Sequence, residues 1–127
     1  MAKKEYKLPE MKKGYYLFWS VCTQCMYNCS VKMEDESSRS YFSCSKSNRR
    51  TDLQVLEQGN RQLDGNGLKL IIEVPESAEI KQSIPSGAIT DNSGATVGYV
   101  YSFCIEDSTD EDYNDIYINV VGWKNKG

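Results

Sequence analysis

From Glu106 to Asp115 the chain sets six carboxylates and the carboxamide of Asn114 into ten consecutive residues. Any fold must answer that charge. Neighbouring carboxylates about 6 Å apart repel by roughly 0.7 kcal/mol in water and several-fold more beside a protein surface. A bound cation removes the cost. The donors are hard oxygens and the chain contains no histidine, which favours calcium. Calcium accepts about 6 to 8 oxygens in loose geometry, whereas magnesium demands a strict octahedron and zinc or copper seeks nitrogen and sulfur. The run differs from an EF-hand loop in its pattern and has no helical periodicity on either side. A solvated acidic loop is the plain alternative. The strand-like segments that bracket the run closely favour an ordered turn between strands.

Those segments show the period of two that a half-buried strand requires. Val97, Tyr99, Tyr101, Phe103 and Ile105 alternate up to the acidic run, and Ile116, Ile118 and Val120 resume after it. Leu68, Leu70, Ile72 and Val74 alternate with Lys69, Ile71 and Glu73, and Pro75 closes that segment. Tyr15 to Val21 is aromatic and β-rich, and residues 26–33 and 39–44 flank a hairpin loop at 34–38. Gly65-Asn66-Gly67 and Asp91-Asn92-Ser93-Gly94 supply turns. One stretch reads two ways: Thr51 could cap a short helix with Leu53 and Leu56 on one face, ended by Gly59 and Asn60, although so short a helix is marginal. Many short strands separated by turn residues predict an all-β chain, an antiparallel β-sandwich of about nine strands.

A chain of 127 residues of uniform composition predicts one domain, residues 1–127, able to bury a real core. Its acidity is local. The run holds six of the eighteen acids, so twelve acids face fifteen basic residues elsewhere. Lys3-Lys4, Lys12-Lys13 and Arg49-Arg50 are scattered pairs, not the basic stripe of a nucleic-acid binder. No segment approaches the roughly 18 apolar residues of a membrane span. The first residues begin with charge but develop no apolar signal segment, which predicts synthesis in the cytoplasm, with release or surface display by another route still open. Of the five cysteines, Cys22-x-x-Cys25 lacks the partners of a zinc site or a redox fold, so reduced structural thiols are expected. A Cys29 to Cys44 bridge requires that the two face each other across the hairpin. Trp19 and Trp123 are expected in the core or an interface before a sugar-stacking role.

The sequence Glu106-Asp107-Ser108-Thr109-Asp110-Glu111-Asp112-Tyr113-Asn114-Asp115, followed by a β-rich stretch with Trp123 and a final glycine, resembles the signature of the bacterial two-calcium fucose- and mannose-binding lectins. Members of that family carry Glu-Asp-Gly-Thr-Asp-x-Asp-Tyr-Asn-Asp there. Weaker similarity reaches back through Gly67-Leu68-Lys69 and Gln54-Val55-Leu56, where the resemblance implies a strand, to Leu8-Pro9. The family's fold is a β-sandwich.

The resemblance implies that Glu106, Asp110, Asp112 and Asp115 hold one calcium ion and that Asp112, Asn114 and Asp115 hold a second, two of the aspartates bridging the pair. Glu111 falls at the variable position and should face solvent, while Tyr113 should pack inward as an anchor. Two further ligands come from outside the run: a main-chain carbonyl matching Val21, and the C-terminal carboxylate of a neighbouring subunit matching Gly127, which makes the site depend on a homodimer or homotetramer. The segment from Ile116 to Gly127 is about two residues longer than its counterpart. A bulge near Val121-Gly122 and a longer tail after Trp123 are the ways to absorb the difference. Sugar hydroxyls fill the open calcium positions and donate to the same carboxylates, so Asp110, Asp112, Asn114 and Asp115 also belong to the sugar site, together with Asp107. Preference between fucose and mannose falls to Cys22-Thr23-Gln24, which replace the small residues usual there.

The chain thus reads as a non-enzymatic, calcium-dependent lectin with fucose- or mannose-containing glycans as partners. A hydrolase is disfavoured because the carboxylates suited to acid or base roles are engaged by metal and no histidine or activated nucleophile is present. The second reading is a calcium-stabilised structural or self-assembly sandwich that binds no sugar.

Overall fold

The computed structural model describes residues 2–24, 27–106 and 116–124. They form ten strands and no helix: β1 (Ala2–Lys7), β2 (Tyr16–Thr23), β3 (Cys29–Glu34), β4 (Ser40–Lys46), β5 (Gln54–Gln62), β6 (Lys69–Val74), β7 (Lys81–Ser83), β8 (Ser86–Thr90), β9 (Thr96–Glu106) and β10 (Ile116–Trp123). Two antiparallel sheets face each other. The first runs β1-β6-β3-β4, the second β5-β2-β10-β9-β7, with β8 also paired to β9. The all-β sandwich expected from the alternation is present.

The core follows from the period of two. Leu70, Ile72 and Val74 on β6, Val31 and Met33 on β3, Leu17, Trp19 and Val21 on β2, and Ile116, Ile118 and Val120 on β10 all point between the sheets and are buried. Trp19 stacks on Phe42 from the opposite sheet, ring centroids 5.5 Å apart, and donates from Nε1 to Glu57 at 3.2 Å. Beneath its indole lies Gly59, where an added Cβ would meet the ring at 2.8 Å.

The ambiguous stretch near residue 54 is a strand. β5 pairs along the whole of β2, Tyr16 with Gln62 through Thr23 with Gln54, with a register shift between Val21 and Cys22. Tertiary pairing overrides the weak helical signal, because Gly59 is needed against Trp19 and a helix would leave one edge of β2 unpaired. Two other expectations are corrected. β10 keeps an uninterrupted register from Ile116 to Trp123 against both β2 and β9, so no bulge occurs at Val121-Gly122. Cys29 lies opposite Lys46 and Cys44 opposite Val31, a diagonal too long for a disulfide, and neither forms one.

The ends of the sandwich are unlike. One is closed by the hairpin turn at 35–39 and the connections at 8–15 and 63–68. There Asp35, fully buried, accepts from Tyr41 Oη at 2.8 Å, from Arg39 Nη1 at 2.9 Å and from the backbone nitrogens of Ser37 and Arg39. Tyr41 Oη in turn accepts from Asp64 N at 3.1 Å, tying the hairpin turn to the connection at 63–68. At the other end β2, β4, β6 and β9 finish and β10 begins.

Candidate functional site

β9 and β10 lie side by side inside the second sheet, Ile105 opposite Ile116, and the acidic run joins them. This follows from the sequence directly: both strands are long and alternate cleanly, so their hydrophobic faces fix where the intervening segment leaves the sandwich. Glu106, the last residue of β9, is buried. The register places Lys81 of β7 across from it. A carboxylate taken from water at a strand end requires a hydrogen-bonded or cationic environment. Asp107, Asp110, Glu111, Asp112, Tyr113, Asn114, Asp115 and Gly127 lie outside the described residues, as does Cys25. The donor chemistry fits calcium: oxygen from carboxylates and one carboxamide, with neither imidazole nor thiolate in the run.

Val21 sits two residues inside the end of β2, buried and paired with Ile118 on one side and Glu57 on the other. The shift in pairing with β5 falls immediately after it. Next come the three residues assigned to sugar preference. Cys22 is half-buried and lies between Tyr117 of β10 and Val55 of β5. Thr23 is buried, opposite Ile116. Gln24, half-buried beyond the strand end, donates from Nε2 to Tyr117 Oη at 2.8 Å. The fold therefore gathers Val21, Cys22, Thr23, Gln24 and Glu106 at one end of adjoining strands. Tyr117 was not singled out from sequence; its signal is its place between Ile116 and Ile118, which puts it on the opposite face of β10.

The same end carries positive charge. Lys46 is buried there and donates from Nζ to the carbonyl of Asn48. Arg49 binds both carboxylate oxygens of Glu76, at 2.8 and 2.6 Å, and with a hydrogen bond from Asn28 N holds that carboxyl below its ordinary range. Arg50 does the same for Asp52 through two hydrogen bonds. The buried oxygens Asn28 Oδ1 and Gln54 Oε1 have no hydrogen-bond partner among the described residues.

The sequence matches no family model and no curated protein. Comparison with solved structures is more informative, because it finds the same fold in three bacterial proteins. The C-terminal domain of the BC2L-C lectin from Burkholderia cenocepacia superposes with a TM-score of 0.67 at 12% identity, covering 95% of this chain and 97% of that one. The Ralstonia solanacearum high-affinity mannose-binding lectin gives 0.62 at 14% identity, covering 92% and 93%. The Chromobacterium violaceum lectin CV2L, solved in complex with α-methyl-fucoside, gives 0.59 at 15% identity with the same coverages. At such identities the likeness establishes a shared fold over nearly the whole chain.

Proposed function

We propose that the protein is a calcium-dependent lectin that binds fucose- or mannose-type sugars at the end of the sandwich where β9 and β10 meet. The observation that carries the reading is a coincidence of place: a run of six carboxylates leaves β9 through a buried glutamate, within a fold shared over its length with lectins described as binding mannose or α-methyl-fucoside. Glu106, Asp110, Asp112, Asn114 and Asp115, with the carbonyl of Val21, are the residues to hold a pair of calcium ions. Such ions, when bound, supply open coordination positions for vicinal hydroxyls.

The chain's own groups do the rest. Asp107 and the ligand carboxylates accept hydrogen bonds from sugar hydroxyls, and recognition depends on how consecutive hydroxyls are oriented. Cys22, Thr23 and Gln24 border the site from β2. Gln24 is held by Tyr117, so its amide enters the site already oriented and its reach is set by that bond. The carboxylate of Gly127 from a neighbouring subunit completes the set in an oligomer, and release or surface display would bring the site to glycans. A glycan array probed in calcium and again in chelator tests the proposal: signal confined to fucosylated or mannosylated glycans, and to the calcium condition, is expected. Silence in calcium would reject it.

The replacement of small residues by Cys22, Thr23 and Gln24, and the longer tail after Trp123, carry the second reading, a structural or self-assembly sandwich that calcium stabilises but that recognises no sugar. That reading predicts a large rise in melting temperature with calcium and an empty array.

A further inference from the structure

The outward face of the first sheet pairs nearly all of its charges. Lys3 meets Glu73 at 3.6 Å, Lys32 meets Glu34 at 3.1 Å, and Lys69 lies between Glu5 at 3.1 Å and Glu34 at 3.6 Å. Lys7 is the exception. It stands directly across from Lys69 in the pairing of β1 with β6, an unfavourable neighbour of like charge, and among the described residues its ammonium meets no carboxylate.

Beside Lys7 the surface opens into a cleft of about 430 Å³, with Lys7 and Pro9 on the β1 side, Glu36 on the β3 side, and Gly67 and Lys69 between them as its floor. Both walls are fastened to that floor by the backbone. Leu8 N donates to Leu68 O at 2.9 Å, and Glu36 N donates to Asn66 O at 3.0 Å, so the cleft is preformed. Residue 67 must lack a side chain for Glu36 to reach over it. Gly67 holds φ at +71°, and a Cβ there would meet Glu36 Cβ at 2.7 Å and Glu36 Oε2 at 2.9 Å. The Glu36 carboxylate therefore lies over the floor, and among the described residues it has neither a hydrogen-bond donor nor an ion-pair partner.

We infer that this cleft binds a small zwitterion of the dipeptide kind, its carboxylate toward Lys7 and its ammonium toward Glu36. Opposite charges that face one cavity without touching each other leave a gap that a ligand carrying both signs fills with two charge-assisted hydrogen bonds. An anion alone would meet Lys7 but also the carboxylates of Glu5 and Glu36, which line the same cleft. A cation alone would meet Glu36 but also the ammonium groups of Lys7 and Lys69. The volume falls within the roughly 300–1,000 Å³ of small-molecule sites. Pro9, exposed on the wall, offers an apolar surface to a side chain held between the two charged ends. The cleft lies at the end of the sandwich closed by Asp35, so the inference goes beyond the calcium and sugar reading and does not depend on it.

Titration of glycyl-leucine into the isotope-labelled chain, followed by amide NMR shifts in chelator and without sugar, tests it. Saturable shifts at Glu36, Gly67 and Lys69 are expected. Acetyl-glycyl-leucine lacks the ammonium and glycyl-leucine amide lacks the carboxylate, and each should bind about 5-fold more weakly, the worth of one exposed ion pair. Lys7→Gln and Glu36→Gln, both at exposed positions, should each weaken glycyl-leucine by a similar factor. Lys3→Gln, in a farther row of the same face, should not. A dispersed amide spectrum confirms that each variant is folded. No saturable shift at these residues, equal binding of the capped peptides, or undiminished binding in Lys7→Gln and Glu36→Gln would each overturn the inference, and none of these outcomes bears on whether the chain binds calcium or sugar.

Discussion

Asp35 shows how single residues lock the end of the sandwich opposite the candidate site. Its burial raises the carboxyl's pKa, but hydrogen bonds from Tyr41 and from the Arg39 and Ser37 amides, with the Arg39 charge, outweigh that and leave it below the ordinary carboxylate value. A carboxylate whose folded value is depressed stabilises the fold above its unfolded value, and that contribution disappears as pH falls through the folded one. Melting temperature should therefore fall as pH drops below about 4, and Asp35→Asn should flatten that part of the profile. Tyr41→Phe strips a donor from buried Asp35 and an acceptor from Asp64 N, and should cost about 1–3 kcal/mol in urea unfolding. Cys44 makes a different point. Burial, reinforced by the charge of Glu57, pushes its thiol up to about 11, so it should resist alkylation at pH 7 in the folded protein and react once unfolded. Asp35 was not legible in the sequence as a buried anchor, because Glu34-Asp35-Glu36 reads as a solvated hairpin loop and the partners that satisfy it, Tyr41 and Arg39, carry no signal of their own.

At the scale of elements, the strands legible in the sequence were those with one apolar face and one polar face. β6, β9 and β10 sit where their alternation placed them, because a slip of one residue would expose every inward side chain. β1 was missed because four charges in six residues obscure its alternation; it is an edge strand whose lysines also discourage further pairing. β5 was ambiguous because its outward positions, apart from Val55, are polar and its central inward one is Gly59, so only Trp19 on another strand reveals why it is extended. Gly59→Val should accordingly lower stability by about 1–3 kcal/mol through collision with that indole, whereas Gly87→Ala on β8, with open space at its Cβ, should change little. Of the candidate site, the carboxylate run was plain in sequence. The placing of Gln24 against Tyr117 was not, since 93 residues separate them.

For the whole molecule, the sandwich assigns separate tasks to separate surfaces. One end is tied shut by Asp35 and Tyr41, and the other collects Glu106 with the ends of β2 and β10. If the acidic run grips calcium, metal and stability are linked: at about 100 times the dissociation constant, calcium should add roughly 2.7 kcal/mol per site, or about 10 °C in melting temperature. Glu106→Gln should remove most of that calcium-dependent rise, measured as the difference between calcium and chelator for each protein. Metal and sugar are proposed to share this end of the fold, and isothermal titration of methyl α-fucoside and of mannose tests that most directly. Saturable binding of at least one of them in calcium, abolished by chelator and restored when calcium is returned, is expected. Absence of binding to either sugar in saturating calcium, or binding that persists unchanged in chelator, would contradict it.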